Sequence, residues 1–187
     1  GLGLALWLAV FPFHSWVPML TQKSSPLASS FLLFVLPSTL TIFSLNFLDR
    51  YAFLRESALL FEALRVIGVI MIVLGGIWSA VQSDLKRVLG YAALSEIGFS
   101  LLAIGLATEG GLIWMVTMIP VRGLSFWFWG IMLSRIEGKV ADTTVQRLPG
   151  FARQFPALSI GLLIAQLNMA GLPLLAQFPI KLQLLTT

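Results

Sequence analysis

GLPLLAQFPIKLQLL, residues 171–185, is an apolar stretch interrupted twice and then charged once. Gly171, Pro173 and Pro179 each disturb a helix: glycine frees φ, and proline removes an N–H and crowds the preceding turn. Lys181 follows among leucines. In water such a stretch is an ordinary loop. In lipid every backbone polar group must be satisfied within the protein, so an interruption survives only where it is buried or lines a hydrated cavity. The solvent around the chain therefore decides how these residues are read.

Composition identifies that solvent. Of 187 residues, 58% are hydrophobic and 11% charged, against about 25% charged in soluble domains. The surface of this chain faces lipid. Apolar runs of spanning length cover residues 1–20, 27–48, 57–82, 88–107, 111–133 and 156–185, and each suits a helix that crosses a bilayer. They are too long for barrel strands, so the expected fold is all-α: a polytopic transmembrane helix bundle of about six spans. Residues 1–187 read as one transmembrane domain without a soluble second unit. The opening GLGLALWLAV has neither an initiator methionine nor a basic leader, so an internal piece of a longer membrane protein is expected.

Several chemistries lose support at once. The chain has no cysteine and a single histidine, His14, which argues against disulfides, thiolate nucleophiles and an imidazole metal site. No glycine-rich phosphate loop follows a strand, so nucleotide binding has no motif. The net charge of +4 is scattered between apolar runs and reads as a topology signal, not a nucleic-acid surface. With six spans, the first, third and fifth loops share a side and carry Lys23, Lys86, Arg87, Arg135, Lys139, Arg147 and Arg153. The second and fourth carry only Arg50 and Arg55. The positive-inside rule assigns the richer side to the cytoplasm.

Function is sought where spans are charged or broken, because a charge at mid-membrane costs at least about 2.5–3.5 kcal/mol and needs a partner, a cavity or a task. Four residues qualify: Glu96 in the fourth span, Arg122 in the fifth, Lys181 after the break and His14 after Pro12. Simpler roles exist for each. Glu96 and Arg122 can form a structural ion pair, Lys181 can snorkel to the interface, and His14 can bond a carbonyl freed by Pro12. Glu62 and Arg65, three apart on one helix face, read as an interfacial structural pair. The aromatic cluster LSFWFWG reads as packing. Breaks in the first span (Pro12, Pro18) and the last (Gly171, Pro173, Pro179) match inverted-repeat transporters, where each repeat gives one discontinuous helix at mid-membrane.

Three segments carry a family resemblance. FPFHSWVP (11–18) resembles the FPxHxWLP segment of the antiporter-like membrane subunits of respiratory complex I. SDLKRVLGYAALSEIGFSLLAIGL (83–106) is similar to that family's DLKRLLAYSSISQLGY. LPGFARQFP (148–156), followed by AGLPLLAQFPIKLQLL (170–185), resembles its GLxRxMP and aGlPPlxGFfxKxxll. The family is shared with multisubunit sodium/proton antiporters and membrane-bound hydrogenases. The resemblance implies two inverted five-helix repeats, of which this chain would cover the end of the first and most of the second. It places Lys181 on the family's proton-exchanging lysine, and the expected relay is Lys181, Glu96, Arg122 and His14. Other membrane subunits, the bilayer and protons are the implied partners, in a bacterial inner membrane. No cofactor and no catalytic centre of the chain's own are implied.

Departures from the family pattern open an alternative. A family lysine falls on Trp7, seven residues before His14, and another falls close to Pro37. The family's HxLxKxxLF reads MIPVRGLSF here, so its histidine falls near Met118 and its lysine on Arg122, which stays protonated at any working pH. Glu96 stands where Gln or His is usual. The expected function is proton translocation within a complex-I-like NADH:quinone oxidoreductase. The alternatives are a degenerate scaffold subunit of such a complex, or a subunit of a cation/proton antiporter or membrane-bound hydrogenase.

Overall fold

A computed structural model of the chain describes residues 3, 6, 8–10, 12–107, 110–139, 144 and 148–186. Among these, the regular elements are all helical. A 3-10 turn, Phe13–Ser15, leads into α1 (Trp16–Lys23). Then follow α2 (Pro26–Arg50), the short α3 (Ala52–Arg55), α4 (Ala58–Val81), α5 (Leu85–Gly105), α6 (Gly111–Glu137), α7 (Leu148–Gln154), α8 (Pro156–Ala170) and α9 (Gln177–Thr186). The all-α membrane bundle is as expected.

Among the described residues, four helices, α2, α4, α5 and α6, are long and apolar enough to cross a membrane. The first and last expected spans are instead made of pieces. Near the N-terminus the chain turns at Ala9 (φ 50°) before the 3-10 turn and α1. Near the C-terminus α8 ends at Gly171 (φ 74°), a left-handed position that suits glycine. Leu172 N–H then reaches back to Leu167 O at 3.2 Å, the six-to-one bond of a Schellman ending. Two prolines expected to break helices begin them instead. Pro18 is the third residue of α1 and Pro179 the third of α9, positions whose N–H has no intrahelical acceptor in any case. The prolines within the breaks are Pro12 and Pro173, each six residues before its helix-starting partner.

At the centre stands α5, buried along most of its length. It packs most extensively against α4, and also against α1, α6, α2 and α8. A close antiparallel approach of α4 and α5 requires Gly68 and Gly98. A Cβ on Gly68 would stand 2.8 Å from Gly98 O and 2.7 Å from Leu102 N, and one on Gly98 would meet Ile72 N at 2.8 Å. Small residues of this kind let membrane helices gain packing where no hydrophobic force separates protein from lipid.

Side-chain bonds tie the loops into two ends. Lys86 Nζ donates to Ser24 O at 3.2 Å and pairs with Glu137. Arg87 reaches Gln22 Oε1 with both Nε (3.0 Å) and Nη2 (2.7 Å). The end of α1, the start of α5 and the end of α6 therefore share one end of the bundle, the cation-rich one. At the opposite end Arg65 Nε donates to Gly105 O at 2.7 Å, capping the last turn of α5 from α4.

Candidate functional site

Glu96 and Arg122 are each the twelfth residue of their helix, α5 and α6. At 1.5 Å per residue Glu96 stands about 16 Å from the cation-rich start of α5, near mid-membrane. Arg122 Nε donates to Glu96 Oε2 at 2.9 Å, and its Nη2 donates to the Glu96 backbone carbonyl at 2.9 Å. Lys181, from α9, donates to the other carboxylate oxygen, Oε1, at 2.6 Å. All three are buried, with 1%, 3% and 5% exposure for Glu96, Arg122 and Lys181. One carboxylate therefore serves two cations, one on each oxygen.

The interrupted helix explains how Lys181 is held. In a continuous helix the carbonyl of Met169 would accept from the N–H four residues on. That residue is Pro173, which has none. Met169 O is left free and Lys181 Nζ donates to it. The amine also lies 4.5 Å from the centre of the Phe99 ring, a cation–π contact. Gly171 leaves room for the lysine stem, because a Cβ there would stand 3.0 Å from Lys181 Cδ.

A neutral polar layer lies beside the charged one, toward the cation-rich end. Asn168 Nδ2 and Gln177 Nε2 both donate to Ser125 Oγ, at 2.6 and 3.3 Å, while Asn168 Oδ1 accepts from the Gln177 backbone N–H at 3.3 Å. Asn168 thereby pins the start of α9 to the end of α8 across the break. Reading from sequence missed this layer. Its signal was spacing: Ser125 is three residues after Arg122, and Gln177 four before Lys181, so each shares a helix face with a charged residue.

A groove of about 440 Å³ runs along α5 to this site, bounded by Ser79, Val88, Ser95, Trp129, Gln166 and Lys181. A second recess, about 370 Å³, shares Ser79, Val88 and Gln166 with it and extends to Ala152 on α7. Together they lead from the cation-rich end to the lysine.

Three of the four expected relay residues are thus brought together. His14 is not among them. It lines a separate recess with Met71, Gly75, Trp78, Tyr91 and Leu94. Trp7 lies outside the described residues. Pro37 is buried within α2, whose buried polar side chains are the hydroxyls of Ser29, Ser30, Ser38 and Thr41. Met118 is wholly buried among apolar side chains. Arg122 and Lys181 reach the same carboxylate from two different helices, so both the ion pair with Arg122 and the contact with Lys181 weighed for Glu96 are present.

The full chain, residues 1–187, matches the family described as NADH:quinone oxidoreductase/Mrp antiporter, TM. The protein named NADH-quinone oxidoreductase subunit N of Ectopseudomonas mendocina is 30% identical over 183 residues, which cover 95% of this chain and 36% of that protein. Its counterpart by name in Chromohalobacter salexigens is 28% identical over 95% of this chain and 37% of its own length. NADH-quinone oxidoreductase subunit 14 of Thermus thermophilus is 28% identical over 94% and 38%. This chain accordingly spans little more than a third of these relatives. With a match along its whole length, the chain belongs to the NADH:quinone oxidoreductase/Mrp antiporter transmembrane family, the group of antiporter-like membrane subunits.

Proposed function

We propose that this chain forms the proton-conducting part of an antiporter-like membrane subunit in a complex-I-like NADH:quinone oxidoreductase. Lys181 is the group that takes up and releases the proton. One observation carries the reading: a buried lysine at a helix break, shared between the Glu96 carboxylate and the carbonyl that Pro173 leaves free. A charge so placed is expensive unless it has a task. The amine has partners in either state, because a neutral –NH2 still donates to a carbonyl. Water reaches it along the groove past Gln166 and Ser95, from the cation-rich end, which the positive-inside rule assigns to the cytoplasm. The two interrupted segments belong to successive inverted repeats, and the protein works in a bacterial inner membrane beside other membrane subunits.

A non-conducting scaffold is the second reading, and Pro37 favours it. The interior of α2 carries hydroxyls but no ionisable side chain, so a chain of lysines does not continue into that helix. Redox-driven proton uptake by the intact complex in sealed vesicles tests the choice. Lys181→Ala is expected to reduce uptake to background while the complex still assembles. Uptake unchanged by Lys181→Ala would favour the scaffold.

A further inference from the structure

Glu96 brings one negative charge to a site with two cations. Only one of those can change, since a guanidinium keeps its proton at any working pH whereas an amine need not. With Lys181 protonated the cluster carries +1. With Lys181 neutral it carries zero, because Arg122 alone balances Glu96. Were Arg122 absent, the same two states would be zero and −1, the latter a carboxylate buried without a cation. That is the arrangement a low-dielectric interior penalises most, so Lys181 would keep its proton.

We propose that Arg122 is the fixed counter-charge of a one-proton site. It holds Glu96 while Lys181 is neutral, and it neither carries nor passes the proton. Resting on Lys181 as the exchanging group, the proposal adds the positioning residue that makes exchange affordable in charge. The geometry supports it in three ways. Arg122 and Lys181 use different carboxylate oxygens, Oε2 and Oε1, so the lysine can change state without displacing the arginine. Arg122 is also bonded to the Glu96 backbone carbonyl, a contact that does not depend on the charge of the Glu96 or Lys181 side chain. Among the described residues, the other groups bonded to or stacked against Lys181 are neutral: the Phe99 ring on α5 and the Met169 carbonyl on α8.

The test compares Arg122→Met, Glu96→Gln and the double variant in the full-length protein within its membrane complex. Assembly, redox turnover and proton uptake are measured together. Arg122→Met makes the two charge states zero and −1, while Glu96→Gln makes them +2 and +1. Each single variant should lower proton uptake roughly a hundredfold, as expected for an uncompensated buried charge. The double variant restores +1 and zero, so it should recover to within about tenfold of wild type, a factor left for the lost lysine–carboxylate contact. A purely structural ion pair predicts the same fall and recovery in assembly alone, with uptake per assembled complex at the wild-type rate in every variant. Wild-type uptake in Arg122→Met would overturn the proposal, as would a double variant that assembles but stays as slow as the singles. If the single variants fail to assemble, the double variant decides by the same criterion, since with Lys181 neutral it buries no charge at all. Should Lys181→Ala leave uptake intact, the reading of Lys181 fails instead, and the two failures are told apart.

Discussion

Gly171 is where one residue does two jobs. Its φ of 74° lies in the left-handed region, and its missing side chain leaves space for Lys181. Alanine there would meet a backbone cost of about 1–2 kcal/mol and also press its Cβ on the lysine stem at 3.0 Å. Gly171→Ala is therefore expected to lower stability by roughly 1–3 kcal/mol, and to slow proton uptake by displacing the amine from Glu96. Thermal unfolding of the purified complex measures the first and vesicle assays the second. Wild-type values in both would contradict the geometry. At this scale the sequence was informative wherever a residue was costly in lipid. Glu96, Arg122 and Lys181 stood out because a charge in an apolar run demands a reason. Ser125, Asn168 and Gln177 did not, since a lone hydroxyl or amide in a membrane helix can bond its own backbone and need signify nothing more.

Among the helices, the breaks were legible and the packing was not. Gly171 and Pro173 announced the end of α8 because few backbones tolerate them in a helix. The companion prolines misled, because Pro18 and Pro179 sit in first turns, where proline is harmless. Which helix occupies the centre could not be read. In soluble proteins the buried face is the apolar face, but in α4 and α5 core-facing and lipid-facing sides are both apolar. Yet α5 is mostly buried and α4 mostly exposed. The groove between α5 and α8 arises from this packing, and it yields a prediction. The chain contains no cysteine, so Gln166→Cys places a single thiol in the groove. A membrane-impermeant thiol reagent should label it from the cation-rich side only. Ile164→Cys, on the exposed outer surface of α8, should stay unlabelled. Labelling of Gln166→Cys from the opposite side alone, or from neither, would rule out the groove as the route of water.

Taken whole, the molecule is built inside out compared with a soluble domain. Large apolar side chains such as Phe43, Phe53, Leu59, Ile77 and Leu124 are exposed on its surface, whereas Glu96, Arg122 and Lys181 are buried. Lipid as solvent explains the first half, and the shared carboxylate explains the second. Topology was legible in the sequence because loop cations mark sides, and the bonds from Lys86 and Arg87 draw the expected loops together. The meeting of α5, α6 and α9 at one carboxylate was not, because it depends on a return of the chain across the break over 85 residues. That meeting is the centre of the account, and exchanging one cation for another tests it most directly. In sealed vesicles containing the intact complex, Lys181→Arg keeps a positive charge beside Glu96 but cannot give up its proton. If Lys181 exchanges a proton, redox-driven uptake by this variant should fall to background with the complex assembled. Uptake at the wild-type rate would show that position 181 requires only a fixed charge, and would contradict the account.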